Sequence, residues 1–96
     1  MSAYFLAQIT IHDHETYKRY LDGADAILAR HAGEVVVVDD SPTILEGRWP
    51  CTRTVVIRFA KEDDAKWWHE SPEYQDLVQY RHQASEANIV LVQGRD

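Results

Sequence analysis

The stretch Trp67-Trp68-His69-Glu70-Ser71-Pro72-Glu73-Tyr74 constrains this chain more than any other. It holds a helix stop and a helix start with no spacer between them. Ser71 is a good N-cap, because its hydroxyl can accept from an orphan N–H of the next turn. Pro72 then falls at the first helical position, where its missing N–H costs nothing. One helix is therefore expected to end near His69 and another to begin at Ser71, with large aromatics wedged at the joint.

The segments on either side read as strands and one long helix. Tyr4 to Ile11 alternates with period two, Phe5, Ala7, Ile9 and Ile11 forming one face and Tyr4, Leu6, Gln8 and Thr10 the other. The first set is apolar enough to lie under helices. Asp13 is the expected N-cap of the next helix. In that helix Tyr17, Tyr20, Leu21, Ala24, Ile27, Leu28 and His31 recur at three- and four-residue steps. Gly23 inside it implies a close contact, and Gly33 suits a left-handed helix end. Val35 to Val38 reads as a short strand, Thr43 to Trp49 as a second that merges with it, and Thr54 to Phe59 as the next. Glu62-Asp63-Asp64 opens a helix at the positive end of its dipole. Asn88 to Gln93 is the last strand, and Gly94-Arg95-Asp96 is expected to fray.

The order is βαββαβ, with the last helix broken at Ser71, which is the α+β ferredoxin-like plan with an antiparallel sheet. Helices on one side leave the other face of such a sheet bare, and here both faces carry large apolar groups. Two sheets packed face to face would cover it, so a two-fold homodimer is expected. The 96 residues fit a single domain spanning 1–96. A net charge of −6 argues against nucleic acid as a partner. No apolar run approaches the length of a membrane span. One cysteine, Cys51, and no signal-peptide pattern together suggest a cytoplasmic setting.

The pattern Leu45-Glu46-Gly47-x-Trp49-Pro50-x-x-Arg53, a strand ending in Phe59, then Ala65-x-x-Trp68-x-x-Ser71-Pro72-Glu73-Tyr74, Arg81 and a terminal strand closing at Gly94 resembles the domain-of-unknown-function family thirteen-thirty. That family is similar to the dimeric α/β-barrel superfamily, which includes antibiotic-biosynthesis and haem-degrading monooxygenases. The resemblance runs from Tyr4 to Gly94 and implies a dimeric α/β barrel. It implies no particular reaction. Ala60-Lys61 stands where the family has a Pro-Ser-like cap, so the acidic residues that follow must carry more of the capping.

Arg81 is the sharpest functional signal. A guanidinium on an otherwise apolar helical face must find an acceptor. It either anchors a carboxylate or other anion in a pocket between helices and sheet, or forms a structural ion pair with Glu46 or Glu73 or bonds to backbone carbonyls. Tyr17, Tyr20, Trp67, Trp68 and Tyr74 either line a cavity for a flat organic ligand or pack as core. His31 could serve as a general base, as could a tyrosine such as Tyr17; the alternative for His31 is a packed ring bonded to a carbonyl at the helix end. His12-x-His14 lacks further ligands for a metal. Arg48, Arg53 and Arg58 form either an anion-attracting rim or pairs across the dimer with Glu46, Asp39 or Asp40. Cys51 has no neighbour to activate it. No cofactor is called for.

Three functions compete on this basis. The first is a pocket for an aromatic or anionic metabolite, with cofactor-independent oxygenase or isomerase chemistry. The second is a non-catalytic dimeric binding or stress-response module. A distant third is haem binding, for which the resemblance would require Gln8, Trp67 or Trp68, and His82 to converge.

Overall fold

The computed structural model describes residues 1–96. The elements are β1 (Ala3–Ile11), α1 (His14–Arg30), β2 (Glu34–Asp39), β3 (Arg53–Phe59), α2 (Glu62–Glu70), α3 (Pro72–Ala84) and β4 (Ser85–Gln93). The strands form one antiparallel sheet in the order β2-β3-β1-β4, the ferredoxin-like arrangement. No helix is long and apolar enough to cross a membrane.

The alternation of β1 decides which face is covered. Ala3, Phe5, Ala7 and Ile9 are buried beneath the helices. Their ladder partners Phe59, Ile57 and Val55 on β3, and Leu91 and Ile89 on β4, lie on that same inner side. The other face carries Leu6 between Val56 and Val90, and Tyr4 between Arg58 and Val92. Val37 sits opposite Val56 and extends this apolar stripe to the edge strand. Val37, Val90 and Val92 are 39%, 53% and 43% exposed, so the outer face is bare in the single chain.

Asp13 caps α1 as expected, accepting from the Thr16 backbone N–H at 3.2 Å. Ser71 likewise caps α3, accepting from the Tyr74 N–H at 3.2 Å while donating to the Trp68 carbonyl at 2.8 Å. Lys61 makes no side-chain capping bond to α2, leaving Glu62, Asp63 and Asp64 to complement its dipole.

Four expectations are corrected. No strand forms over 43–49, and β2 ends at Asp39 without merging with it. Gly47 there has φ +76°, outside any strand geometry. The left-handed residue after α1 is Ala32 at φ 58°, not Gly33. The last strand begins at Ser85 rather than Asn88, directly after α3. The C-terminus is tied rather than frayed: the Asp96 carboxylate accepts from Ser2 N at 3.0 Å and Ser2 Oγ at 2.7 Å.

Candidate functional site

A cavity of about 430 Å³ lies between α1 and the β2–β3 half of the sheet. It exists because α1 packs chiefly against α3 and leaves the space above β2 and β3 unfilled. A bulge at Val36 helps shape it. The register shift between Val35 and Val37 returns both Val35 and Val38 to the inner side, where they line the cavity. Its walls are apolar except for Tyr17, Tyr20, Asp25, Arg53 and Arg81.

Arg81 is 4% exposed. It takes part in no ion pair, and its Nε is buried without a hydrogen-bond partner. Glu73, one of the acids considered for it, is engaged by Arg30 and approached by His31 Nε2 at 3.8 Å. Glu46, the other, stands in the exposed segment after β2. The Arg81 guanidinium instead lies 5.8 Å from the centroid of the Tyr20 ring. Trp68, whose ring also lines the cavity, holds the second buried donor with no partner, its Nε1.

Tyr20 and Tyr74 share a hydrogen bond of 2.8 Å between their hydroxyls. Burial pushes the phenols of Tyr17, Tyr20 and Tyr74 above their usual range, and the Arg81 charge opposes this at all three. The three are therefore neutral hydrogen-bonding groups near neutral pH. Arg53 lies 5.5 Å from the Tyr17 ring centroid and pairs with Asp40 of its own chain.

Of the residues singled out from sequence, Tyr17, Tyr20, Trp68 and Arg81 come together around the cavity. Tyr74 stands behind Tyr20, fully buried. Trp67 is 61% exposed and packs edge-on against His31, with centroids 4.3 Å apart. His31 is buried away from the cavity, and its Nδ1 donates to the Ile27 carbonyl at 2.8 Å. Gln8 is on the outer sheet face and His82 is exposed, so the haem-type trio does not converge. No three His, Cys, Asp or Glu side chains gather as a metal site. The sequence placed Arg53 on an anion-attracting rim or in an ion pair across the dimer; it lines the cavity and pairs within its own chain. The only available signal was its place at the start of a strand, with the acids Asp39 and Asp40 at the end of the strand before it.

The fold is shared with several solved proteins of low sequence identity. A protein of unknown function from Rhodopseudomonas palustris is 15% identical, with a TM-score of 0.81 over 99% of this chain and 83% of that one. SnoaB, a cofactor-independent oxygenase from Streptomyces nogalater, is 18% identical with a TM-score of 0.69, covering 99% of this chain and 94% of its own. A dimeric ferredoxin-like protein of unknown function from Jannaschia sp. CCS1 is 13% identical with a TM-score of 0.69, covering 98% and 100%. No curated protein matches the sequence significantly. The profile of one family, described as Domain of unknown function (DUF1330), matches residues 2–95, and with the match spanning nearly every residue the chain belongs to that family.

Proposed function

We propose that the protein is a homodimer whose protomers each bind a small, largely apolar anion in the cavity between α1 and the sheet. Arg81 is the anchor; Tyr17, Tyr20 and Trp68 are walls, and Tyr74 holds Tyr20 in place. One observation carries this reading: Arg81 is buried against the cavity with no carboxylate to neutralise it. An unpaired buried guanidinium costs several kcal/mol, and a ligand carboxylate would relieve that cost with two parallel hydrogen bonds. The cavity volume of about 430 Å³ falls in the range of small-molecule sites. The bare apolar outer face, and the dimeric protein from Jannaschia among the fold neighbours, support the two-fold assembly.

The cavity supplies donors rather than bases. No histidine lines it, its tyrosines hold their protons, and its one carboxylate, Asp25, stands at the exposed rim. A binding module without chemistry therefore accounts for the geometry best. The second reading is cofactor-independent oxygenation or isomerisation of a substrate acidic enough to ionise unaided. Arg81 would then stabilise its enolate. The likeness to SnoaB favours that reading.

Calorimetric titration with 2-naphthoate tests the site. One equivalent per protomer is expected, weakened about tenfold or more in Arg81→Gln, as loss of a charge-assisted pair implies. Equal affinity in the folded variant, checked by circular dichroism, would remove Arg81 as the anchor.

A further inference from the structure

Two guanidiniums face the cavity, and they are not equivalent. Arg81 stands at the buried end with no counter-charge. Arg53 stands at the β2–β3 side, where Asp40 grips it through Nε–Oδ1 at 2.7 Å and Nη2–Oδ2 at 3.1 Å. Between them lie the rings of Tyr17 and Tyr20, 5.7 Å apart, with Arg53 against the first and Arg81 against the second. Both charges reach the Tyr17 hydroxyl, and both oppose the effect of its burial. At the rim, Asp25 adds an exposed carboxylate on the α1 side.

We propose that Asp40 sets the charge class of the ligand: by neutralising Arg53 it makes the cavity a receptor for apolar monocarboxylates and turns away dicarboxylates of the same shape. This rests on the anion-binding reading above and narrows it. A monocarboxylate finds one unpaired cation at Arg81 and an apolar wall for its body. A second carboxylate would have to displace Asp40 from a two-point grip, or be desolvated beside a pair already neutral. Asp25 and the net charge of −6 oppose it further. Asp40 itself does not line the cavity, so it acts through Arg53 as a positioning residue.

The test compares 2-naphthoate with 2,6-naphthalenedicarboxylate, which share an apolar body, by calorimetry at fixed ionic strength. The proteins are the wild type, Asp40→Asn, Arg53→Gln and the double variant. Asp40 is largely exposed on its side chain, at 59%, so its replacement leaves the core untouched. The wild type is expected to favour the monoacid by about tenfold or more, and Asp40→Asn to reduce or reverse that preference by about tenfold. Arg53→Gln and the double variant are expected to keep the wild-type preference. A preference in Asp40→Asn within about twofold of wild type overturns the proposal, as does a double variant that keeps the Asp40→Asn change. Failure of the underlying reading looks different. There, Arg81→Gln binds 2-naphthoate as well as the wild type does, whatever stands at position 40. If the wild type binds neither acid, both fall.

Discussion

At Gly33 an added Cβ would stand 2.2 Å from Leu28 Cδ1 and 2.8 Å from Phe59 Cε1. Phe59 is fully buried beneath Trp68, so it cannot retreat without disturbing the core. At Gly23 the added Cβ would meet Leu77 Cδ1 at 3.0 Å, the far end of a partly buried and flexible side chain. The same substitution should therefore act differently at the two sites. Gly33→Ala is expected to cost about 1–3 kcal/mol through overpacking. Gly23→Ala should be near neutral, its gain of up to about 1 kcal/mol in helix propensity offset by the shift of Leu77. Urea unfolding midpoints compare them directly, and equal losses would contradict this account. The sequence told the need for space at Gly23 correctly. It misassigned Gly33, because a glycine after a helix looks the same whether it supplies a left-handed φ or a missing Cβ. Arg81 was legible because a charge interrupts an apolar helical face. Arg53 was not, because its part in the cavity depends on how far α1 stands from the sheet.

The joint between α2 and α3 is where sequence and structure agree best. Ser71 both caps α3 and holds the last turn of α2 through the Trp68 carbonyl, and it is 7% exposed. Its local chemistry is complete within four residues, which is why it could be read from the chain alone. Ser71→Ala should destabilise by about 1–2 kcal/mol, since it orphans the Tyr74 N–H at a buried cap. Ser71→Thr or Ser71→Asp should recover part of that loss, because each restores an acceptor. Thermal unfolding of the three variants provides the check, and no recovery by either would argue that packing rather than capping is what Ser71 supplies. The segment over 43–49 shows the opposite case. Its alternation of Ile44, Glu46 and Arg48 against Leu45, Gly47 and Trp49 mimics a strand. A strand needs a hydrogen-bonded partner, and this segment joins neither β3, already paired on both sides, nor the free edge of β2. The Trp49 indole N–H instead donates to Thr54 Oγ1 at 2.7 Å and pins the segment as a loop.

For the molecule as a whole, two properties follow from how its surfaces are divided. The first concerns alkali. Burial raises the pKa of Tyr17, Tyr20 and Tyr74 above their unfolded value of 10.0. Above that pH the unfolded chain releases these phenolic protons before the folded one does. The unfolded state then binds fewer protons, so stability must fall as pH rises past about 10. Phenolate absorbance from these three should appear together with loss of helical circular dichroism. Their ionisation within a chain that stays folded would show the cavity wall to be wetter than its geometry implies. The second property concerns assembly. The molecule measures 32 × 30 × 16 Å, a sheet with helices on one side only. Leu6, Val37, Val56, Val90 and Val92 form an apolar stripe on the uncovered side, flanked by Gln8, Thr54 and Asn88. A two-fold contact through this face sets the stripe against its own copy, so one substitution introduces two charges into the interface. Val90 is 53% exposed on the uncovered face, so Val90→Asp should leave the protomer fold intact. Light scattering at micromolar concentration should give twice 11.1 kDa for the wild type and 11.1 kDa for the variant. The wild-type urea midpoint should rise with protein concentration, because association favours the folded state by mass action, and that dependence should vanish in Val90→Asp. A wild type of one chain's mass, or a variant that keeps twice that mass, would place the contact elsewhere or remove it.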